Sequence, residues 1–191
     1  MAESEIRRIQ GNGSETELWR MRFVRARVLA FQGHVEEAVE YLSALTPPDH
    51  SDGDSRAALK MYCGSFSCHL GRNDRANRLL NQAEGLARSA GLLSLTGDVL
   101  LCRAFLLFRQ KDYADSSNVY RSVLDLAETI PDWYSRGHAL WGIGKKLMIQ
   151  CQYTEAMSWL KTSLALLEAN DALLSVSTVW SELGLCYLGT L

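Results

Sequence analysis

Apolar residues recur every three to four positions along most of the chain, which is the spacing of one face of an α-helix. Short polar turns interrupt this pattern, and the segments that follow them are polar or acidic, as is typical of helix starts. The pattern predicts nine helices in two alternating sets. First-position helices are predicted near 15–32, 55–70, 93–109, 132–149 and 171–189. Second-position helices are predicted near 35–45, 73–89, 112–129 and 152–169.

Polar residues stand at several of the predicted helix starts. Ser55, Asp112 and Asp171 are predicted N-caps, because their side-chain oxygens can accept a backbone N–H of the first turn. Pro131 immediately precedes another predicted start, a position that proline tolerates. The longest break in the pattern is 46–54, and its turn-forming residues predict a mobile surface loop.

Pairs of small residues twelve positions apart recur along the chain. Two small residues, one on each helix of a hairpin, allow the two helices to approach closely. Successive pairs are spaced by 38, 40 and 40 residues, and a further step of 40 leads to Gly184. The spacing predicts stacked helix hairpins with a period of about 40 residues. The pairs are Ala26 and Ala38, Gly64 and Ala76, Ala104 and Ser116, and Gly144 and Ala156.

This pattern resembles the tetratricopeptide repeat (TPR), in which each unit is a helix pair with Trp-x-x-Leu-Gly-x-x-Tyr in the first helix and Ala in the second. The matching residues are Trp180, Leu183, Gly184 and Tyr187. The first two repeats depart from the motif, since Arg22 and Lys60 stand where the family usually has apolar residues. The period also exceeds the standard 34 residues. The resemblance implies an all-α fold, a right-handed α-solenoid of antiparallel helix pairs, like the extended TPR-like arrays of bacterial regulators.

The predicted organisation is an N-terminal arm or partial cap at 1–14 followed by one TPR-like array at 15–191. The repeat units are expected at about 15–54, 55–92, 93–131 and 132–170, with a half unit at 171–191. The half unit ends on apolar residues that a solenoid normally covers with a polar capping helix. Two interpretations stay open: the chain is a fragment of a longer protein, or helix 171–191 self-associates with a second copy.

Composition excludes several classes of protein. Leu and Ala are more than twice as numerous as Val, Ile and Thr together, which favours helices. The 47% hydrophobic content excludes intrinsic disorder, and a net charge of −2 argues against a nucleic-acid binder. No apolar stretch approaches the roughly 20 residues of a membrane span, and no signal peptide is recognisable. Five cysteines without a tight motif indicate a reduced, cytoplasmic compartment.

Motifs that would indicate catalysis or metal binding are not found in the sequence. The four histidines lie in different segments, and none has the spacing of a helical metal site. Cys63 and Cys68 are five apart, so their side chains do not converge on one ion as i, i+4 residues do. Gly142-Ile-Gly144-Lys145 superficially resembles a phosphate loop but lacks the first glycine and the following Ser or Thr. We therefore predict no enzymatic activity, no cofactor and no metal.

The resemblance implies that first-position helices line a concave groove that binds an extended peptide or a partner helix. Its cations meet few acids, mainly Asp98 and Glu182, so a ligand of acidic character is expected. Aromatic, Met and Arg residues dominate interface energetics, although a stripe of this kind is also typical of a packed core. The partner-binding positions implied are Arg20, Phe23, Arg27, Met61, Tyr62, Phe105, Arg109, His138, Trp141 and Lys145.

These expectations define the predicted function. The chain is predicted to be a protein-interaction or scaffold module that binds a peptide or partner segment, within a longer signalling or regulatory protein. The alternative is a small-ligand-sensing domain of a multidomain regulator. No nucleic-acid or membrane partner is expected.

Overall fold

A computed structural model describes residues 15–47 and 53–191. The predicted arm at 1–14 and most of the predicted loop at 46–54 lie outside these residues. The described residues form α-helices joined by short turns, and no strand occurs among them, which confirms the all-α class. The helices are α1 (Glu15–Phe31), α2 (Val35–Ser43), α3 (Gly53–His69), α4 (Asn73–Ser89), α5 (Leu93–Arg109), α6 (Tyr113–Thr129), α7 (Trp133–Ile149), α8 (Tyr153–Glu168) and α9 (Leu173–Gly189).

One of the three predicted N-caps forms. The Asp112 carboxylate accepts the backbone N–H of Asp115 at 3.3 Å and so satisfies a donor of the first turn of α6. The prediction for Ser55 is wrong, because α3 already begins at Gly53 and includes Ser55.

The prediction for Asp171 is also wrong, and the geometry of the turn explains why. Asp171 has φ +55°, in the left-handed region, and α9 begins two residues later with Ala172 at the N-cap position. Equivalent left-handed residues end three of the preceding helices, at Gly71, Lys111 and Cys151. Turns of this type use one left-handed residue, and Asp tolerates this conformation better than most side chains do. Asp171 therefore ends one helix and does not begin the next.

The chain divides into two compact lobes, Met1–Leu95 and Thr96–Leu191, and the boundary falls inside α5. In the N-terminal lobe, α1 packs on α2, α2 on α3, and α3 on α4. A core there comprises Ala26, Leu42, Leu59 and Cys63. In the C-terminal lobe, α6 packs on α7, α7 on α8, and α8 on α9. Its core includes Tyr120, Val123, Leu160, Leu167 and Leu183.

The small residues predicted from the repeat lie where helices of a hairpin touch. A Cβ placed on Gly64 would lie 2.9 Å from Leu80 Cγ, too close for any larger residue to fit without displacement. In the third hairpin the two small residues bond directly, since Ser116 Oγ donates to the carbonyl of Ala104 at 2.9 Å. Gly184 differs. It is exposed, and no described atom would lie within 4 Å of its Cβ.

Candidate partner-binding surfaces

An aromatic ladder joins two first-position helices of the N-terminal lobe. Trp19 stacks on Phe23 along α1 with ring centroids 5.1 Å apart. Phe23 meets Tyr62 of α3 edge-on at 5.3 Å, and Tyr62 contacts Phe66 at 5.9 Å. The Arg27 guanidinium lies over the Tyr62 ring, 4.8 Å from its centroid, which is within the range of a cation–π contact. The structure therefore brings together three predicted residues: Phe23, Arg27 and Tyr62.

An open pocket of about 270 Å³ lies at the end of this ladder. Its walls are mainly apolar, and Arg27 supplies a cation at the edge. Phe31 is 77% exposed there, although burial would ordinarily be favourable for so large an apolar ring. The pocket can therefore accept an apolar side chain that has an anionic group nearby. The lining residues are Arg27, Ala30, Phe31, Val35, Tyr62, Phe66 and His69.

Two further predicted residues of this lobe lie apart from the pocket lining. Met61 is only 4% exposed, so its side chain packs in the interior and is unavailable to a partner. Adjacent residues point to different sides of one helix, so Met61 and Tyr62 do not face the groove together, and the sequence did not decide which of the two does. Arg20 is exposed on α1. Sequence reasoning missed three pocket residues: Phe31 at the end of α1, Val35 at the start of α2, and Phe66 one turn beyond Tyr62 on α3.

A buried carboxylate organises the surface of the C-terminal lobe. Glu182 of α9 is only 6% exposed. Trp141 Nε1 of α7 donates to Glu182 Oε2 at 2.6 Å, and Lys145 Nζ lies 2.8 Å from Glu182 Oε1. Both oxygens are therefore bonded, as a buried carboxylate requires. Lys145 also lies 5.2 Å from the Trp141 ring centroid and 5.9 Å from that of Phe108.

This bridge changes the predicted electrostatics. Lys145 was expected to make the groove locally basic, but its charge is paired with Glu182. The remaining predicted cation of this lobe, Arg109, is exposed in the last turn of α5. Phe105 is half-buried on the same helix. The charge available to an acidic ligand at Lys145 is therefore smaller than the sequence implied.

His138 lies one turn before Trp141 and is held by two hydrogen bonds. Its Nδ1 is 2.9 Å from the carbonyl of Tyr134, so Nδ1 donates, because a carbonyl oxygen only accepts. Nε2 then accepts the Ser175 hydroxyl of α9 at 3.1 Å. The imidazole also packs on the Tyr134 ring, with centroids 4.2 Å apart. Tyr134 and Ser175 were missed from the sequence, since the 37-residue separation of Ser175 from His138 matches no step of the repeat.

The structure predicts a histidine-dependent loss of stability in acid. Burial lowers the pKa of His138 below its ordinary 6.5, against smaller opposing effects of the Tyr134 carbonyl and the Asp132 charge. The unfolded chain keeps the ordinary pKa, so below about pH 6.5 it binds a proton that the folded state does not. The contribution of His138 to the free energy of unfolding is fully present above that pH and decreases as the pH falls below it. One proton limits the slope to about 1.4 kcal/mol per pH unit.

Urea unfolding of His138→Gln between pH 7 and 5 measures this contribution, and the variant should lose less stability in acid than the wild type does. His34→Gln, which changes an exposed histidine of the other lobe, is the matched control. A His138→Gln slope equal to that of the wild type would contradict the assignment.

Among residues 15–47 and 53–191, no group of three or more His, Cys, Asp or Glu side chains is arranged to hold a metal ion. Within the same residues, no helix is both long enough and apolar enough to cross a membrane.

The chain is similar to known proteins in its fold. No family model and no curated protein sequence matches the chain. Among solved structures, it is similar to a Rap protein complexed with competence and sporulation factor, with 14% identity, a TM-score of 0.79, and coverage of 97% of this chain and 52% of that one. It is also similar to the apo form of RapI, with 13% identity, a TM-score of 0.68, and coverage of 98% and 53%.

A third similar structure is a putative kinesin light chain of Podosopora anserina with nearly identical TPR-like repeats, with 18% identity, a TM-score of 0.63, and coverage of 93% and 89%. These likenesses show the fold and confirm the predicted class, an all-α, TPR-like solenoid of antiparallel helix pairs. The chain spans about half the length of the Rap chains that it matches.

Proposed function

We propose that the chain is a protein-interaction module that binds a peptide or partner segment on its first-position helices, within a longer signalling or regulatory protein. One observation carries this proposal. The N-terminal lobe has a pocket with mainly apolar walls, which include two rings of the aromatic ladder, Tyr62 and Phe66, and the cation Arg27. Aromatic and Arg residues around a concave apolar site are the features that dominate binding energy at interfaces.

One protein of similar fold supports partner binding by a module of this kind. It is a Rap protein complexed with competence and sporulation factor. TPR-like folds present their first-position helices to partners, and function depends on the residues at that surface, since one fold serves many functions. The residues of the pocket are therefore the features to test.

The chemistry of the pocket indicates the class of ligand. Ala30, Val35 and Phe66 offer apolar contact, and the exposed Phe31 offers a ring that a partner can cover. The Arg27 guanidinium can donate to a carboxylate while it remains against Tyr62. We therefore propose a peptide in which an aliphatic or aromatic side chain lies next to an acidic residue or a terminal carboxylate.

Peptides selected from a phage-displayed random library against the immobilised chain test this proposal. Replacing Arg27 and Phe31 together by Ala should weaken the Kd of the selected peptides at least tenfold, because a charge-assisted hydrogen bond and an aromatic contact are both lost. Fluorescence anisotropy measures the Kd, and circular dichroism should show an unchanged helical content, since both side chains are exposed.

Two matched variants serve as controls. Val24→Ala removes an exposed apolar side chain from the same helix, and Arg78→Ala removes an exposed arginine from α4. Neither residue lines the pocket, so both variants should bind as the wild type does. An unchanged Kd in the Arg27→Ala, Phe31→Ala variant would refute the pocket as the binding site.

The concave, mainly apolar shape of the same pocket supports a second candidate, the sensing of a small ligand. Its volume of about 270 Å³ lies just below the roughly 300–1,000 Å³ usual for such sites, so the ligand would be a small one. A metabolite that raises the Tm of the wild type but not of the Arg27→Ala, Phe31→Ala variant would support this candidate.

A further inference from the structure

A row of aromatic rings runs along α7 in the C-terminal lobe. Tyr134 packs on His138 with ring centroids 4.2 Å apart, and His138 meets the Trp141 ring at 5.9 Å. Trp133 extends the row at the start of the helix, where its ring lies 5.9 Å from that of Tyr134. These four residues are called the α7 aromatic row. Tyr134 is 47% exposed and Trp133 37%, so a partner can reach these rings.

This exposure does not result from a missing neighbouring helix. Helix α7 packs against both α6 and α8, and α9 of the next repeat also contacts it. Two side-chain hydrogen bonds, from Trp141 to Glu182 and between His138 and Ser175, join α7 to α9. The row therefore remains at the surface of a repeat that is already packed on its neighbours. A patch of large exposed rings in such a setting is typical of an interaction surface.

The ring nitrogens at the centre of the row are already hydrogen-bonded within the lobe. Trp141 Nε1 donates to the Glu182 carboxylate, and both nitrogens of His138 have partners. The centre of the row therefore offers ring surfaces and few hydrogen-bonding groups. A segment that binds as an extended strand relies on backbone hydrogen bonds, which such a surface does not favour. Proline suits it better, because proline lacks a backbone N–H and presents a flat apolar ring.

The length of the row also fits a polyproline II helix. Tyr134 and Trp141 are seven residues apart, which is about 10.5 Å along an α-helix. A polyproline II helix advances about 9 Å in each turn of three residues, so prolines at i and i+3 lie on one side at nearly this distance. A Pro-x-x-Pro segment can therefore place one proline on Tyr134 and the next on Trp141.

Two carboxylates lie at one end of the row. The Asp132 side chain accepts the backbone N–H of Ser135 at 3.0 Å, and Asp98 of α5 lies 3.5 Å from the Ser135 hydroxyl. Both acidic residues are partly exposed, and Ser135 directly follows Tyr134 in the chain. Negative charge on this side of the row complements a basic residue of a partner. The charge therefore indicates which end of a bound segment lies beside Tyr134.

We propose that the α7 aromatic row binds a proline-rich segment of a partner protein in the polyproline II conformation, with a basic residue of that segment beside Asp98 and Asp132. The prolines pack on Tyr134 and Trp141, and His138 supports both rings from between them. This site goes beyond the proposed function. It shares no residue with the N-terminal pocket, and the expected charge of its ligand is the opposite one.

Fluorescence anisotropy of the full chain with a labelled synthetic peptide, in which an arginine precedes two Pro-x-x-Pro turns, tests the site. The wild type should bind with a Kd below about 100 µM. Tyr134→Ala should weaken binding at least tenfold, because the peptide loses one of its two ring contacts. Tyr134→Phe, which restores the ring, should recover most of this loss. Tyr187→Ala removes an exposed tyrosine elsewhere in the same lobe and is the matched control.

Folding of the variants is checked independently of binding. Circular dichroism of Tyr134→Ala should show the helical content of the wild type, because the tyrosine ring is half-exposed. The Arg27→Ala, Phe31→Ala variant should bind the proline peptide as the wild type does, since neither residue belongs to the row. Loss of binding in that variant would place the peptide in the N-terminal pocket and overturn the proposal, whereas the pocket would remain a binding site.

Two altered peptides test the proposed chemistry. Replacing every proline by alanine should abolish measurable binding, and replacing the arginine by glutamate should weaken binding at least fivefold. Asp98→Asn should reduce the preference for arginine over glutamate. No binding of the proline peptide by the wild type, equal binding of the alanine peptide, or an unchanged Kd in Tyr134→Ala overturns the proposal. Equal binding of the arginine and glutamate peptides overturns the placement of the basic residue beside Asp98 and Asp132.

Discussion

Leu160→Ala is expected to lower the free energy of unfolding by about 3 kcal/mol, within the roughly 2–5 kcal/mol of buried Leu→Ala changes. Leu160 is fully buried in the core of the C-terminal lobe and fills the space that Gly144 leaves open on α7. Removing it loses both its transfer free energy and the contacts around the cavity. Urea unfolding followed by circular dichroism measures the loss.

Gly144→Ala tests the same contact from the other side. The new Cβ would lie 2.8 Å from Leu160 Cγ and 3.3 Å from the carbonyl oxygen of Ala156. Overpacking costs about 1–3 kcal/mol, more than the roughly 1 kcal/mol that Ala gains over Gly in a helix. A net destabilisation of about 1 kcal/mol is expected. Gly184→Ala, at the equivalent repeat position, lacks the clash and should be neutral or stabilising.

The double variant gives the most specific result. In the presence of Leu160→Ala, the methyl group of Gly144→Ala enters the cavity instead of clashing. The double variant should therefore be about 1–2 kcal/mol more stable than the sum of the two single effects predicts. Additivity within about 0.5 kcal/mol would show that the two residues do not share this space.

Lys145→Met is expected to lower the free energy of unfolding by about 2 kcal/mol. It removes one of the two partners of a carboxylate that is only 6% exposed, and a buried charge without its partner is strongly unfavourable. The Lys145 side chain is itself 32% exposed, so water replaces part of the lost interaction and the cost stays below that of a fully buried pair. The same urea titration measures it.

A second substitution distinguishes the cost of the unpaired Glu182 charge from the cost of lost packing around Lys145. Glu182→Gln keeps an acceptor for the Trp141 indole but removes the charge, so in the Lys145→Met background it should restore about 1 kcal/mol. Lys161→Met is the matched control, since Lys161 is exposed and contacts only the face of the Tyr187 ring at 5.6 Å among the contacts described. It should cost less than about 1 kcal/mol. Further destabilisation by Glu182→Gln in the Lys145→Met background would contradict this account of the bridge.

The repeat made most of the fold predictable. Helical periodicity depends on local spacing, and the small residues at Gly64, Ala104 and Gly144 reflect a close contact that recurs in three hairpins. The helix starts were less predictable. Asp is a residue type that is common at helix N-caps. At Asp171, however, the turn takes up a left-handed backbone conformation, and this geometry decides between the two roles.

The candidate site was predictable only in part. Periodicity placed Phe23, Arg27 and Tyr62 on one surface, because they lie on first-position helices at matching repeat positions. It could not distinguish buried Met61 from exposed positions, nor identify Phe31 and Val35 as pocket walls. Which face of a helix is buried and which is exposed is decided only when the neighbouring helices are packed against it.

The sequence by itself determined the helices, their pairing and their period, because these depend on contacts between residues that are close along the chain or related by a regular repeat. Only the tertiary structure decided which charged residues face a partner and which face each other. Lys145 and Glu182 lie 37 residues apart and make a single ion pair that no periodic rule specifies. Their pairing follows from the packing of α7 against α9, which brings the two side chains together in a site where an unpaired carboxylate would be unstable.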